Sequence, residues 1–182
     1  MDMAWLGKKI TNKDKAVEER FSEMILLADE MVKTIRKIAS ELRPGILDDL
    51  GLVPALEWQS SEFEKRTGIK CYFTSEKALP DLNKTSATGI FRIYQETLTN
   101  VARHSEATKV NVSISCNEGA ITLTVADNGK GLNPEELKVR KTLGIVGMRE
   151  RAAMMMGNLT VQQQNQGGTV VVLSVPAEIK KE

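Results

Sequence analysis

The sequence predicts an α+β protein, a two-layer α/β sandwich preceded by a long coiled-coil-type helix. Three observations carry that reading. Near the N-terminus apolar residues recur in a 4-3-4-3 alternation, at Val17, Phe21, Met24, Ala28, Met31, Ile35, Ile38 and Leu42, which is the pattern of a coiled-coil seam. Further on, Val110, Val112, Ile114 and Cys116 and then Ile121, Leu123 and Val125 alternate with period two across Asn117, Glu118 and Gly119, the mark of an antiparallel hairpin. Helical stretches stand between the strand candidates in a way that suits helices laid against an antiparallel or mixed sheet.

A chain of 182 residues has room for one domain and a helical appendage. Its 25 basic and 24 acidic residues leave a net charge of +1. That excludes a general nucleic-acid binder, so any function built on charge must be local. An apolar fraction of 41% and a charged fraction of 27% are ordinary for a globular protein. With two Trp, two Tyr and four Phe, the core must be aliphatic and rich in Met. Cys71 and Cys116 both fall in strand candidates and make no disulfide framework, so a reducing, cytoplasmic setting is expected. No run approaches the roughly 18 apolar residues of a membrane span. The first residues lack a signal-peptide stretch; Met3, Leu6 and Ile10 already keep helical spacing, so the chain is expected to begin within a helix.

The elements follow in order. Ile25, Leu26, Leu27 and Val32 widen the heptad stripe as in a helix bundle, and a seam of this length with no equal partner in the chain predicts a homodimer through helix 14–43. Pro44 disfavours helix in the residue before it and Gly45 follows, which makes 44–51 a junction between a helical part, 1–43, and a second domain, 52–178. A helix that follows Gly51 and runs to about Arg66 carries Leu52, Leu56 and Phe63 on one side, admits Pro54 in its first turn, and ends before Gly68. Ile69, Cys71 and Phe73 alternate as a strand, and a helix from about Asn83 to His104 buries Ile90, Ile93, Leu98 and Val101. After the hairpin come a helix from about Val146 to Met156 and strands at 159–164 and 169–175. Gln162, Gln163 and Gln164 are expected to be polar residues on a strand face.

Four places hold candidate chemistry. Glu96, Asn100, Arg103 and His104 stand at i, i+4, i+7 and i+8 and so share a stripe of one helix. Asp127-Asn128-Gly129-Lys130-Gly131 follows the second hairpin strand, where a carboxylate on a rigid strand end sits beside backbone that lets a ligand come close; the same residues also read as a turn. Gly144-Ile145-Val146-Gly147 stands at the opening of a helix, whose free N–H groups favour anions. Gly167-Gly168-Thr169 starts the last strand and reads equally as a hairpin turn.

In their order these segments resemble the N box and three glycine boxes of the Bergerat-type ATPase and kinase fold. The stretch Glu41-Leu-Arg-Pro-Gly-Ile-Leu-Asp-Asp-Leu-Gly-Leu52 resembles the junction that leads into the catalytic domain of sensor histidine kinases related to nitrate-sensing and lipid-fluidity-sensing kinases. The resemblance implies an ATP-binding domain that presents Mg·ATP to a histidine, with a response regulator as the downstream partner and no nucleic-acid partner. It implies that Asp127 accepts a hydrogen bond from the adenine amine, that Asn100 ligates Mg²⁺, and that Glu96 orients water or polarises the nucleophile. Arg103 and His104 would lie near phosphate, and Thr169 would complete the adenine pocket. Gly129, Gly131, Gly144 and Gly147 would bound a lid from about Leu132 to Leu143, in which Lys138, Arg140 and Lys141 reach toward the γ-phosphate. In this family the acceptor histidine stands on the first helix of the dimerisation hairpin, yet the one histidine in the chain is His104, so the acceptor is expected outside these residues. Two other readings remain open at this level: a Bergerat-fold ATPase in which Glu96 activates water, and a coiled-coil dimerisation module with a non-catalytic nucleotide pocket.

Overall fold

The computed structural model describes residues 20, 23–25, 27, 45–76, 79–80, 82–131, 142–164 and 167–177. The chain divides into two compact units, residues 1–45 and 46–182. Of the expected heptad helix only Arg20, Glu23, Met24, Ile25 and Leu27 are described, and these are helical; the rest of the seam lies outside the described residues. The expected junction contains a short helix, α1 (Gly45–Asp49).

The second unit is an α+β sandwich. Its sheet has the order β1-β2-β3-β5-β4, with β1 (Lys70–Ser75) parallel to β2 (Lys109–Asn117) and every other pairing antiparallel. The other strands are β3 (Ala120–Asp127), β4 (Asn158–Gln163) and β5 (Thr169–Pro176). The helices are α2 (Leu52–Thr67), α3 (Lys84–Asn100) and α4 (Thr142–Met154). The sheet is therefore mixed, because the crossover through α3 returns β2 parallel to β1.

Local chemistry explains the boundaries. The α2 helix stops at Gly68, whose left-handed φ of 75° lets its N–H reach Glu64 O at 2.8 Å. Asn83 caps α3 by accepting from Ser86 N at 2.8 Å. Glu118 and Gly119 turn the β2–β3 hairpin with φ of 51° and 75°, the two positive values that a tight two-residue hairpin needs. The α4 helix begins at Thr142, four residues before the sequence pattern places it, so Gly144 lies inside the helix rather than ahead of it, and the expected lid, 132–143, loses its last two residues to α4.

One face of the sheet makes the core. Ile121, Leu123, Val125 and Asp127 alternate inward along β3 and meet Ile90, Ile93, Leu98 and Met148 from α3 and α4. Tyr94 is buried against α2, where Ser60 Oγ donates to Leu56 O at 2.8 Å, leaving the Tyr94 hydroxyl to donate to Ser60 Oγ at 2.6 Å. A buried phenol thus has its hydrogen bond. Among the described residues no helix is long and apolar enough to cross a membrane.

Phe63 is fully enclosed while Tyr72 is 55% exposed and is contacted by Lys109 Nζ at 5.0 Å from its ring centre. Phe63→Ala is expected to cost about 3–5 kcal/mol of stability and Tyr72→Ala less than about 1 kcal/mol, a difference that urea unfolding midpoints measure directly.

Candidate functional site

The α3 helix does not end in ordinary α geometry. Residues Val101–Ser105 form a π turn, a wide turn that often occurs at functional sites. It is closed by Ser105, whose hydroxyl donates to Val101 O at 2.9 Å and accepts from Ala107 N at 3.0 Å. Glu106 then takes a left-handed φ of 55° and ends the helix. Asn100, Val101, His104 and Ser105 all face the same cavity.

Opposite them stands the end of β3. Val125 and Asp127, two residues apart on one strand face, line the cavity, with Thr169 and Val171 of β5 beside them. Ile145 and Met148 of α4 and Val161 of β4 complete a largely apolar wall. Asn128 points the other way, where its Oδ1 accepts from Thr108 N at 3.0 Å and Lys109 N at 2.9 Å. The Asp-Asn-Gly segment is therefore tied on both sides, not a free turn.

The Asp127 carboxylate is buried at 5% exposure. Its Oδ1 accepts from Gly129 N at 2.8 Å, and the N–H and hydroxyl of Thr169 also bond to it. Burial raises its pKa above the ordinary aspartate range, and those hydrogen bonds pull it part of the way back.

Close backbone approaches set this geometry. A side chain at Gly129 would run into the Ser105 carbonyl, and one at Gly168 would run into the Asp127 carbonyl. Lys130 N donates to the same Ser105 O at 2.8 Å. At α4 a Cβ on Gly144 would come within 2.5 Å of Glu96 Oε1 and 3.9 Å of Asn100 Nδ2. Gly144 thus lets the first turns of α4 lie against the polar stripe of α3.

Residues 85–179 match the family described as histidine kinase-, DNA gyrase B-, and HSP90-like ATPase. The chain belongs to this family. It is 35% identical over 167 residues to the signal transduction histidine-protein kinase/phosphatase DegS of Brevibacillus brevis, covering 90% of this chain and 43% of that protein. It is 34% identical to the sensor histidine kinase MctS of Rhizobium johnstonii, over 95% of this chain and 38% of that one. The chain therefore spans about two fifths of the length of these curated relatives. Its fold is shared by the histidine kinase domain of the Erythrobacter litoralis blue-light activated histidine kinase, at a TM-score of 0.62, 19% identity and coverage of 97% and 91% of the two chains. The ATP binding domain of PrrB from Mycobacterium tuberculosis also shares it, at a TM-score of 0.54, 18% identity and coverage of 69% and 93%. The second unit is the ATP-binding catalytic domain of a sensor histidine kinase.

Within this kinase domain the sequence candidates fall into three groups. Asn100, His104, Asp127, Gly131 and Thr169 line the cavity. Glu96, Gly144 and Gly129 adjoin it through the contacts just described. Arg103 is exposed, and Gly147 lies one helical turn beyond Gly144, where its carbonyl accepts from Arg151 Nη1 at 3.2 Å; neither is among the cavity-lining residues. The lid cations Lys138, Arg140 and Lys141 lie outside the described residues. The sequence does not single out Thr97, Ser105, Val125, Ile145, Met148, Val161 or Val171 as site residues, although Ile145 lies in a candidate segment. Strand alternation carries the signal for two of them, since Val125 shares the Asp127 face and Val171 the Thr169 face.

Asn100 makes no side-chain hydrogen bond among the described residues, and its amide oxygen is a hard donor of the kind Mg²⁺ takes. That ion needs only one or two protein ligands when phosphate and water supply the others. No cluster of three His, Cys, Asp or Glu suited to a metal occurs among the described residues, and a single amide oxygen fits a cation whose other ligands are phosphate and water.

The raised pKa of Asp127 has a stability consequence. The folded chain holds a proton there more tightly than the unfolded chain, so the stability linked to this group is full below the unfolded pKa and is lost as pH rises through the raised folded value. Asp127→Asn is expected to melt at a higher temperature than wild type at about pH 7, with the gap closing in the acid range near the unfolded aspartate pKa of roughly 3.9, as a series of thermal melts would show.

Proposed function

We propose that this chain presents Mg·ATP for in-line phosphoryl transfer to a histidine on a dimerisation helix, with onward transfer to an aspartate of a response regulator. The observation that carries the reading is the buried Asp127 carboxylate at the end of an apolar cavity whose other wall is the polar end of α3. An ionised carboxylate accepts from the exocyclic amine of adenine, whereas guanine offers a carbonyl oxygen at that edge and is repelled. The aliphatic walls at Val125, Ile145, Met148 and Val171 suit a flat heterocycle, with Thr169 completing the base pocket.

From the base outward the polar groups follow one another along α3. His104 and Asn100 face the cavity, and Glu96 stands one turn before Asn100. The Asn100 amide oxygen would hold a Mg²⁺ brought in with the nucleotide, and that ion would supply charge neutralisation at the phosphates. Glu96 makes no hydrogen bond or ion pair among the described residues, which leaves its carboxylate to accept from the incoming imidazole N–H and hold that ring in line. Catalysis then rests on placement and charge neutralisation, with His104 beside the phosphates, Arg103 reaching them from the rim, and the lid between Gly131 and α4 covering them. His104 is occupied in the nucleotide cavity, so the acceptor belongs to another segment, and residues 1–182 bind ATP without phosphorylating themselves in the usual way. On this reading the protein works as a homodimer through residues 14–43, with this domain in the cytoplasm.

Calorimetric titration tests the nucleotide reading. ATP and ADP are expected to bind and GTP to bind about tenfold more weakly or worse, the value of one charge-assisted hydrogen bond; Asp127→Asn is expected to remove the distinction. Binding of GTP as tight as ATP by the wild type would overturn the assignment of Asp127. With a separate polypeptide that supplies the acceptor histidine, Glu96→Gln is expected to lower the rate of acid-labile phosphate formation about 10²–10⁴-fold while nucleotide affinity stays within about twofold.

A further inference from the structure

The three consecutive glutamines at 162–164 are not equivalent. Gln162 and Gln163 are exposed, and Gln164 is half-buried just past the end of β4. Its side chain turns toward the ends of β3 and β5. Gln164 Nε2 donates to Asp127 O at 3.0 Å and to Thr169 O at 3.3 Å. The two hydrogens of an amide NH₂ group thus serve two carbonyls on two different strands.

Those carbonyls lie where the sheet ladder has stopped. The last pair between β3 and β5 at this end is Ala126 with Val170, so Asp127 and Thr169 lie one step beyond the ladder. Gln164 stands in for the missing rung. Its own backbone is fixed by the turn it closes, with Gln164 N donating to Gly168 O at 2.9 Å and Gln164 O accepting from Gly167 N at 3.1 Å. The turn lies directly on the end of β3, because a side chain at Gly168 would strike the Asp127 carbonyl. Without the amide, two carbonyl oxygens would face each other with no donor between them, and the strand ends would part.

We propose that Gln164 is a positioning residue for base recognition: by bridging the main chains of Asp127 and Thr169 it fixes the carboxylate that reads the adenine amine and the Thr169 hydroxyl bonded to it. The inference rests on the adenine-binding role proposed for Asp127. It gives the turn after β4 a part in selecting the base, although Gln164 is not among the cavity-lining residues.

The test compares ADP with purine riboside 5′-diphosphate, the same nucleotide without the exocyclic amine, by calorimetry on wild type, Gln164→Leu and Gln164→Glu. The ratio of the two affinities reports the amine contact alone. Wild type is expected to prefer ADP about tenfold or more. Both variants are expected to lower that preference about threefold or more while binding the amine-free nucleotide as wild type does. A general loosening of the domain would instead weaken both nucleotides in parallel, and that result, or an unchanged ratio in both variants, would overturn the proposal. A wild type that does not distinguish the two nucleotides would remove the role of Asp127 and this inference with it.

Discussion

A carboxylate taken out of water must be given hydrogen bonds or lose its charge, and the strand ends around Asp127 are arranged to meet that requirement. Gly129 folds back to donate to it, Thr169 donates from the neighbouring strand, and burial still raises its pKa. These bonds hold the group and leave it facing an apolar cavity. A group so fixed has little freedom left to lose when a ligand binds, which is the condition under which one hydrogen bond distinguishes between bases.

The same requirement reaches back into the backbone. Gly129 is held against the Ser105 carbonyl, and Ser105 closes the π turn that brings His104 to the cavity. On the far side Gly168 sits against the Asp127 carbonyl and Gln164 bridges to Thr169. The end of α3, the end of β3 and the start of β5 are thus joined by main-chain contacts with no room for a Cβ. Replacing either of these glycines would move the strand end that carries the carboxylate before it touched the carboxylate itself. The Gly144 contact is softer, because a Cβ there would meet only the end of the Glu96 side chain, which can turn aside.

Much of this could be read from the residues. Period-two alternation places Val110–Cys116 and Ile121–Val125 in paired strands, and the structure pairs them in register from Val110–Asp127 to Asn117–Ala120. The stripe Glu96, Asn100 and His104 needs only helical geometry to be seen. Other features leave no periodic trace. The early start of α4 hides in a stretch where the apolar spacing is irregular and two glycines argue against helix, and it depends on packing against α3. The π turn inserts no unusual residue and is fixed by a serine hydroxyl. Gln164 looks like its two neighbours in the sequence, and only the position of the β3 and β5 ends separates it from them. What the residues alone missed is set by tertiary approach between main chains, which local propensity does not encode.

The most direct measurement of the central claim is a crystal structure of this chain with a non-hydrolysable ATP analogue and Mg²⁺. The adenine amine is expected within hydrogen-bond distance of the Asp127 carboxylate, between Thr169 and the aliphatic walls, with the cation on the Asn100 amide oxygen and the phosphates along α3. A base bound elsewhere, or one turned so that its amine meets no group at Asp127, would contradict the role assigned to that carboxylate.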